Sequence, residues 1–240
     1  MTPAKNQLSI WPSDYELTHA VDVNYVAGMV QGRVPQVRFT YRPSASFNWA
    51  LSIENPEQQL GSGVVTLPSC CAGDLAAQYN TGSNGLDVAN AMPGIVSRAA
   101  FNEGKFLHVD AGGVLRVFRH TLKPYDETVK QAGGGVSVNA RMTPGTKTVL
   151  FGQFAYGPGL GRYIGGLVPD VSITADGQIH PIRTGSWVVG GERRLTTHAS
   201  AQFTTAGSMP TGATRSIPAA PTSASVIRAH PTAPTNRSTR

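Results

Sequence analysis

The chain is poor in charge. Of its 240 residues only 14% are Asp, Glu, Lys or Arg, against roughly 25% in an ordinary soluble domain. No apolar run approaches the ~18 residues of a membrane-crossing helix, which excludes an α-helical membrane protein. Cysteine is scarce too. The adjacent pair Cys70 and Cys71 is all there is, which excludes a disulfide-stapled scaffold and a four-cysteine zinc site. Neighbouring cysteines bridge only against backbone strain, so these two read as ordinary loop thiols. Residues 1–10 lack a basic stretch followed by an apolar one, so no secretory signal is legible. Acid is missing altogether after Glu192.

Turn formers are plentiful. The chain holds 27 Gly and 17 Pro, which argues against a helical bundle or coiled coil. The net charge of +6 would suit an anionic partner. That excess is local, however. Arg193, Arg194, Arg215, Arg228, Arg237 and Arg240 follow the last acid and account for all of it, leaving a neutral body. A nucleic-acid-binding body is therefore not expected. From Thr204 onward Thr, Ser, Ala and Pro dominate, a composition that buries too little apolar surface to offset its ordering entropy. Residues 206–240 read as a disordered tail. GC-rich coding DNA translated out of frame would give the same composition. Residues 1–205 read as one β unit.

That unit is built of hairpins. Val37, Phe39 and Tyr41 alternate with Gln36, Arg38 and Thr40. After the turn Arg42–Ser46, Phe47, Trp49, Leu51 and Ile53 alternate with Asn48, Ala50, Ser52 and Glu54. Period two on both arms is a hairpin signal. Residues 57–93 read as a long loop. Strands resume at Ile95–Phe101 and at Lys105–His120, the latter long enough to reach about 50 Å. A third pair runs Gly135–Met142 and Lys147–Tyr156 around Thr143–Thr146. Residues 157–184 form another loop, and Ser186–Glu192 with His198–Phe203 make a last hairpin. Eight strands joined alternately by short turns and long loops are the asymmetry of an outer-membrane barrel. A soluble sandwich would show the same alternation.

Chemical motifs are few. None of the six His forms an HExxH pair, and there is no GxSxG elbow. His108 and Asp110 share a strand face, a weak metal arrangement that reads more simply as a polar strand surface. Gly157–Arg162 looks like a phosphate loop but lacks the Lys-Ser/Thr that such a loop needs. We therefore expect no catalytic residue, no metal and no cofactor: the protein is not an enzyme. A set of arginines lies in or beside the strands: Arg38, Arg98, Arg116, Arg119, Arg141 and Arg162. If the polar strand faces line a water-filled lumen, these are candidate pore-lining residues that would favour anions. In a soluble fold they are solvated surface charges.

Several segments resemble the DcaP-like outer-membrane porins of Gram-negative bacteria. They are Arg33–Tyr41 (RVPQVRFTY), Trp49–Glu57 (WALSIENPE), Gly113–Arg116 (GVLR) and Phe154–Ile164 (FAYGPGLGRYI). Leu8–Asp22 is loosely similar to the stretch that precedes the first. The match is ordered and covers roughly residues 8–205. The resemblance implies an all-β antiparallel meander of hairpins, part of a transmembrane β-barrel. It implies passive diffusion of small hydrophilic, anionic solutes, with outer-membrane lipid as surroundings and a homotrimer where the barrel is complete. No nucleic acid, catalysis or cofactor is implied. About eight strands is near half of a general porin's ~16, and no closing strand ends in an aromatic residue. The expectation is thus a truncated or frameshifted copy, a porin fragment of the cell outer membrane. The competing reading is a soluble β-rich binding or surface-attachment module. A β-rich hydrolase finds no support.

Overall fold

The computed structural model describes residues 35–56, 67, 69, 71–79, 92–122, 127–164, 168–196 and 199–211. These carry ten strands: β1 (Gln36–Tyr41), β2 (Phe47–Glu54), β3 (Gly94–Glu103), β4 (Leu107–Leu122), β5 (Glu127–Met142), β6 (Thr148–Pro158), β7 (Val171–Ile173), β8 (Ile179–Pro181), β9 (Arg183–Arg194) and β10 (Ser200–Thr211). One short helix, α1 (Ala72–Gln78), and a 3-10 turn at Gly161–Tyr163 complete them. Eight strands form one antiparallel sheet in the order β1-β2-β3-β4-β5-β6-β9-β10. Sheet neighbours are sequence neighbours except at β6–β9, where residues 159–182 intervene. β7 and β8 make a separate two-stranded sheet. The chain is all-β, an antiparallel meander of hairpins.

The sheet is inside out by the standard of a soluble protein. Register places Phe39 opposite Leu51, Ile53 opposite Ile95, Ile95 opposite Leu115, and Val138 between Ala111 and Phe154. Opposed residues share a face, so these side chains make one apolar surface across the strands. That surface is exposed, and its opposite is buried and polar. Leu115 is 65% exposed, whereas the next residue, Arg116, is 4% exposed. Phe39, Tyr41, Val136, Phe154, Tyr156, Val189, Phe203 and Met209 are all exposed, while Glu54, Asp110, Asn139 and Gln153 are buried. Hydrophobic burial stabilises a soluble fold by turning apolar faces inward. This sheet turns them out.

Short turns close one end at 42–46, 104–106 and 143–147, and between β9 and β10 Leu195 N donates to Ala199 O at 2.9 Å. Gly104 and Gly145 take the left-handed backbone there, with φ of 55° and 75°. At the other end residues 55–93 link β2 to β3 and residues 159–182 link β6 to β9, but only four residues, 123–126, separate β4 from β5, so the expected long loop there is corrected. Residues 57–93 are not loop throughout, since α1 lies among them. Cys71, at the start of α1, is buried and disulfide-bonded, and the sequence offers one other cysteine, Cys70. The expectation of ordinary loop thiols is corrected accordingly.

Strand β5 starts at Glu127, not at Gly135 as the alternation suggested. The run Gly133-Gly134-Gly135 reads as a break because it carries no side chains. It lies inside the ladder because side chains would not fit. A Cβ at Gly133 would lie 2.6 Å from the Phe118 ring, and one at Gly134 2.2 Å from the Val114 carbonyl oxygen. β10 likewise runs to Thr211, past the boundary expected at residue 205. The rest of the expected tail, 212–240, lies outside the described residues.

β4 and β5 overhang the sheet. β3 pairs with β4 only as far as Ile95–Leu115, and β6 with β5 only as far as Tyr156–Val136. Beyond these points the two strands continue together to Leu122 and Glu127. Where β3 has ended, the Gln78 amide takes its place: its Nε2 donates to Thr121 O at 2.8 Å and its Oε1 accepts from Thr121 N at 2.7 Å. Cys71, Leu75, Tyr79, Phe118, Leu122, Val171, Ile173 and Ile179 pack into one apolar cluster under this overhang.

Candidate functional site

We call inner the face of the sheet against which the segment 159–182 folds. That segment could have stood away from the strands, being a connection at the long-loop end. Instead it turns back. Gly159, with φ of 75°, reverses the chain after β6, in space that a Cβ would share with Phe118 at 2.5 Å. Leu160, Tyr163 and Ile164 are then buried against Ala50, Val96, Val114 and Ala155 of the strands. The small side chains of that part of the wall leave room for the segment.

Three groups of polar contacts fasten it. Arg116 of β4 donates from both terminal nitrogens to Asp170, at 2.7 and 3.0 Å, and also to the Gly159 carbonyl at 2.6 Å. Its guanidinium lies 4.8 Å from the Phe118 ring centroid and 5.5 Å from that of Tyr163, within cation–π range. Glu54 of β2 accepts from the Tyr163 hydroxyl at 2.9 Å and from Ser52 Oγ at 3.0 Å. Arg162 donates from its backbone to Asp170 at 2.9 Å and from its side chain to Asn55 O at 2.6 Å. Burial, and then the Glu54 carboxylate, push the Tyr163 phenol above its ordinary range, so it stays a hydrogen-bond donor. The Tyr79 phenol is raised in the same way, by burial first and the Asp170 charge second.

A second polar cluster lies lower on the inner face, nearer the short turns. Asp110 of β4 accepts from Arg98 Nη2 of β3 and from Asn139 Nδ2 of β5 at 3.2 Å, and its Oδ2 lies 3.0 Å from His108 Nε2. The other ring nitrogen of His108 lies 2.6 Å from Asn102 Oδ1. Asp110 is buried, whereas the side chains of Arg98 and His108 keep 28% and 35% of their exposure. The partly exposed Arg98 guanidinium is thus the accessible positive group over the buried Asp110 carboxylate. No cluster of metal ligands occurs among the described residues.

The six arginines expected to line a pore do not form one ladder. Arg38 and Arg98 lie on the inner face, as does Arg141, opposite His108 and Phe151. Arg116 lies there too, but is buried and committed to Asp170. Arg162 belongs to the in-folded segment, not to a strand. Arg119 shares the face of Leu115 and Val117 and stands opposite Lys130. Strand parity carries it to the outer side, on the overhang. The acids that meet these arginines were the poorly legible part. Glu54 and Asp110 fall at polar-phase positions on their strands, a usable signal. Asp170 and Tyr163 lie in what reads as loop, and nothing in their spacing marks them.

No protein-family model matches the sequence, and no curated protein matches it either. Among solved structures, the fold is similar to the crystal structure of the outer membrane channel DcaP of Acinetobacter baumannii. The TM-score is 0.66 at 16% identity, covering 86% of this chain and 52% of that one. At that identity the likeness is one of fold: the chain has a porin-like β architecture and spans about half the length of the channel it matches. No helix among the described residues is long and apolar enough to cross a membrane; a barrel crosses with strands.

Proposed function

We propose that this chain forms part of the wall of an outer-membrane diffusion channel, and that it transports without catalysis. The reversed sheet carries the reading. An exposed apolar face paired with a buried polar one is what a wall between lipid and water requires. Five paired rows, from Ile95–Leu115 to Met142–Leu150, extend roughly 26 Å along the strands at about 3.3 Å per residue. Tilted by the roughly 35–45° of barrel strands, they span about 20 Å of an apolar band ~25 Å tall. The segment 159–182 narrows the lumen from within. Small hydrophilic solutes are the class that such a wall admits. Among them we favour anions, on the strength of Arg38, Arg98 and Arg141. The preference is mild, because Asp110 and Asp170 offset Arg98 and Arg116.

Reconstitution into planar bilayers under a KCl gradient tests this. Single-channel steps with a reversal potential displaced toward chloride are expected. Asp110→Asn, which removes the acid beneath the Arg98 guanidinium, is expected to displace it further. A chain that is folded and monodisperse without detergent, and leaves bilayers silent, would instead be the soluble β-rich binding module.

A further inference from the structure

We infer that Arg119 and Lys130 together hold a phosphate of an outer-leaflet lipid, on the outside of the wall and just beyond the apolar band. The inference rests on the channel reading above.

On the outward phase of β4 and β5, every residue from Leu107 to Val117 and from Met142 to Ala132 is apolar or glycine. The next row pairs Arg119 with Lys130, and the row after it pairs Thr121 with Thr128. The charges of this phase are thus both positive and stand in one row, and no acid falls on it in either strand. Lys130 is exposed and Arg119 partly so. Like charges set directly opposite destabilise a strand pair, their Cβ atoms being about 4.5–5.5 Å apart. A phosphate set between them reverses the sign of that interaction. The guanidinium fork matches two of its oxygens and the ammonium a third. In the following row the Thr121 and Thr128 hydroxyls lie 3.2 Å apart. One proton joins them, which leaves the other to donate outward to the same headgroup. The support beneath is firm: Phe118 and Leu122 are buried on the reverse side, and the Gln78 amide bonds the Thr121 backbone.

Height decides what carries the phosphate. The five apolar rows span about 20 Å across the membrane, and the Val117–Ala132 row lengthens them by two residues, to about 25 Å, the full height of a barrel's apolar band. Arg119 and Lys130 make the very next row, about 5 Å farther out. That is headgroup level, where long cationic side chains leave hydrocarbon for anionic lipid. An anion in transit would meet the inner face, whereas this pair lies on the outer one. The overhang stands at the end opposite the turns 42–46, 104–106 and 143–147. Short turns of such barrels are periplasmic, so the lipid belongs to the outer leaflet.

The test uses the full chain folded in dodecyl maltoside micelles and two probes, diphosphoryl lipid A and the same glycolipid stripped of its phosphates. Native mass spectrometry reads which of the two stays on the protein. From an equal mixture the parent is expected to retain the phosphorylated form. Lys130→Gln is expected to weaken that retention about fivefold and Arg119→Gln/Lys130→Gln about thirtyfold, on the scale of one basic residue at a membrane surface. Arg119→Lys/Lys130→Arg keeps both charges and should keep the lipid. Equal retention of the two probes by the parent, or unchanged retention by Lys130→Gln, overturns the inference while leaving the channel reading intact. So does inorganic phosphate that displaces the lipid at equal concentration, which would make the pair a site for a free anion. A chain that folds and stays monodisperse without detergent overturns both. Lys130 is exposed, so its single replacement gives a reading even if the double variant does not fold.

Discussion

Arg116 and Asp170 lie 54 residues apart in sequence and meet as a two-pronged ion pair, the arginine from a strand and the aspartate from the segment folded over it. Both are buried. Removing one partner strands the other's charge, which costs about 3–5 kcal/mol, whereas replacing both with apolar groups of similar size is far milder. Asp170→Ala should therefore lower the urea midpoint of the detergent-folded protein more than the double variant Arg116→Met/Asp170→Leu does. Equal losses would show that the pair does not fasten the segment.

The glycine run in β5 separates close approach from mere flexibility. Gly134→Ala places a methyl 2.2 Å from Val114 O, against backbone that cannot move aside, whereas Gly152→Ala finds its nearest neighbour at 3.9 Å. We expect Gly134→Ala to unfold at markedly lower temperature, by roughly the 1–3 kcal/mol of an overpacked core. Gly152→Ala should melt within about 0.5 kcal/mol of the parent. Circular dichroism melts of the two decide it.

The apolar face responds to charge in opposite ways in the two readings. Val138→Arg, in the middle one of the five apolar rows, should cost about 2–4 kcal/mol in a bilayer. The same change on a water-exposed surface is worth no more than about 0.5 kcal/mol. Folding yield into liposomes, followed by protease protection, measures it. A Val138→Arg variant that folds as well as the parent would place this face in water.

Alkaline pH should loosen the in-folded segment. The Tyr163 phenol is raised above its unfolded value of 10.0. Its contribution to stability is therefore whole below about pH 10 and is lost as pH rises through the folded value. Tyr163→Phe removes the hydrogen bond to Glu54, costs about 1–3 kcal/mol at neutral pH, and should flatten the fall above pH 10. If the variant falls as steeply as the parent, the titrating group is another.

Much of this architecture is legible from period-two alternation. It locates all eight strands of the main sheet and both hairpin ends that open on Arg42 and Thr143. Alternation fails where side chains vanish. At Gly133–Gly135 the strand continues although the pattern stops, because the constraint there is the proximity of Phe118, Val114 and Leu160. It also cannot say which face is buried, and that assignment decides between lipid and water. The candidate site was legible by half. Strand parity gives Glu54, Asp110, Arg98 and Arg116. Asp170 and Tyr163 reach the wall only through a chain reversal at Gly159, a tertiary event with no local period. Arg119, four residues from Leu115, falls on the outward apolar phase of β4, which its place among the candidate arginines did not reveal.

The fastened segment joins two strands that lie side by side, β6 and β9, and it rests on the inner face of the sheet. Once a ring is shut, that side can be reached only through the mouths. Order of assembly follows from this. If the sheet is part of a ring, as proposed, the in-folded segment is expected to settle on β2 and β4 before the ring shuts. A cysteine introduced at Ser172, on the in-folded segment, should accordingly lose its reactivity toward a bulky maleimide before the β1 and β10 edges lose amide exchange. The reverse sequence would mean that the segment enters through an opening already made.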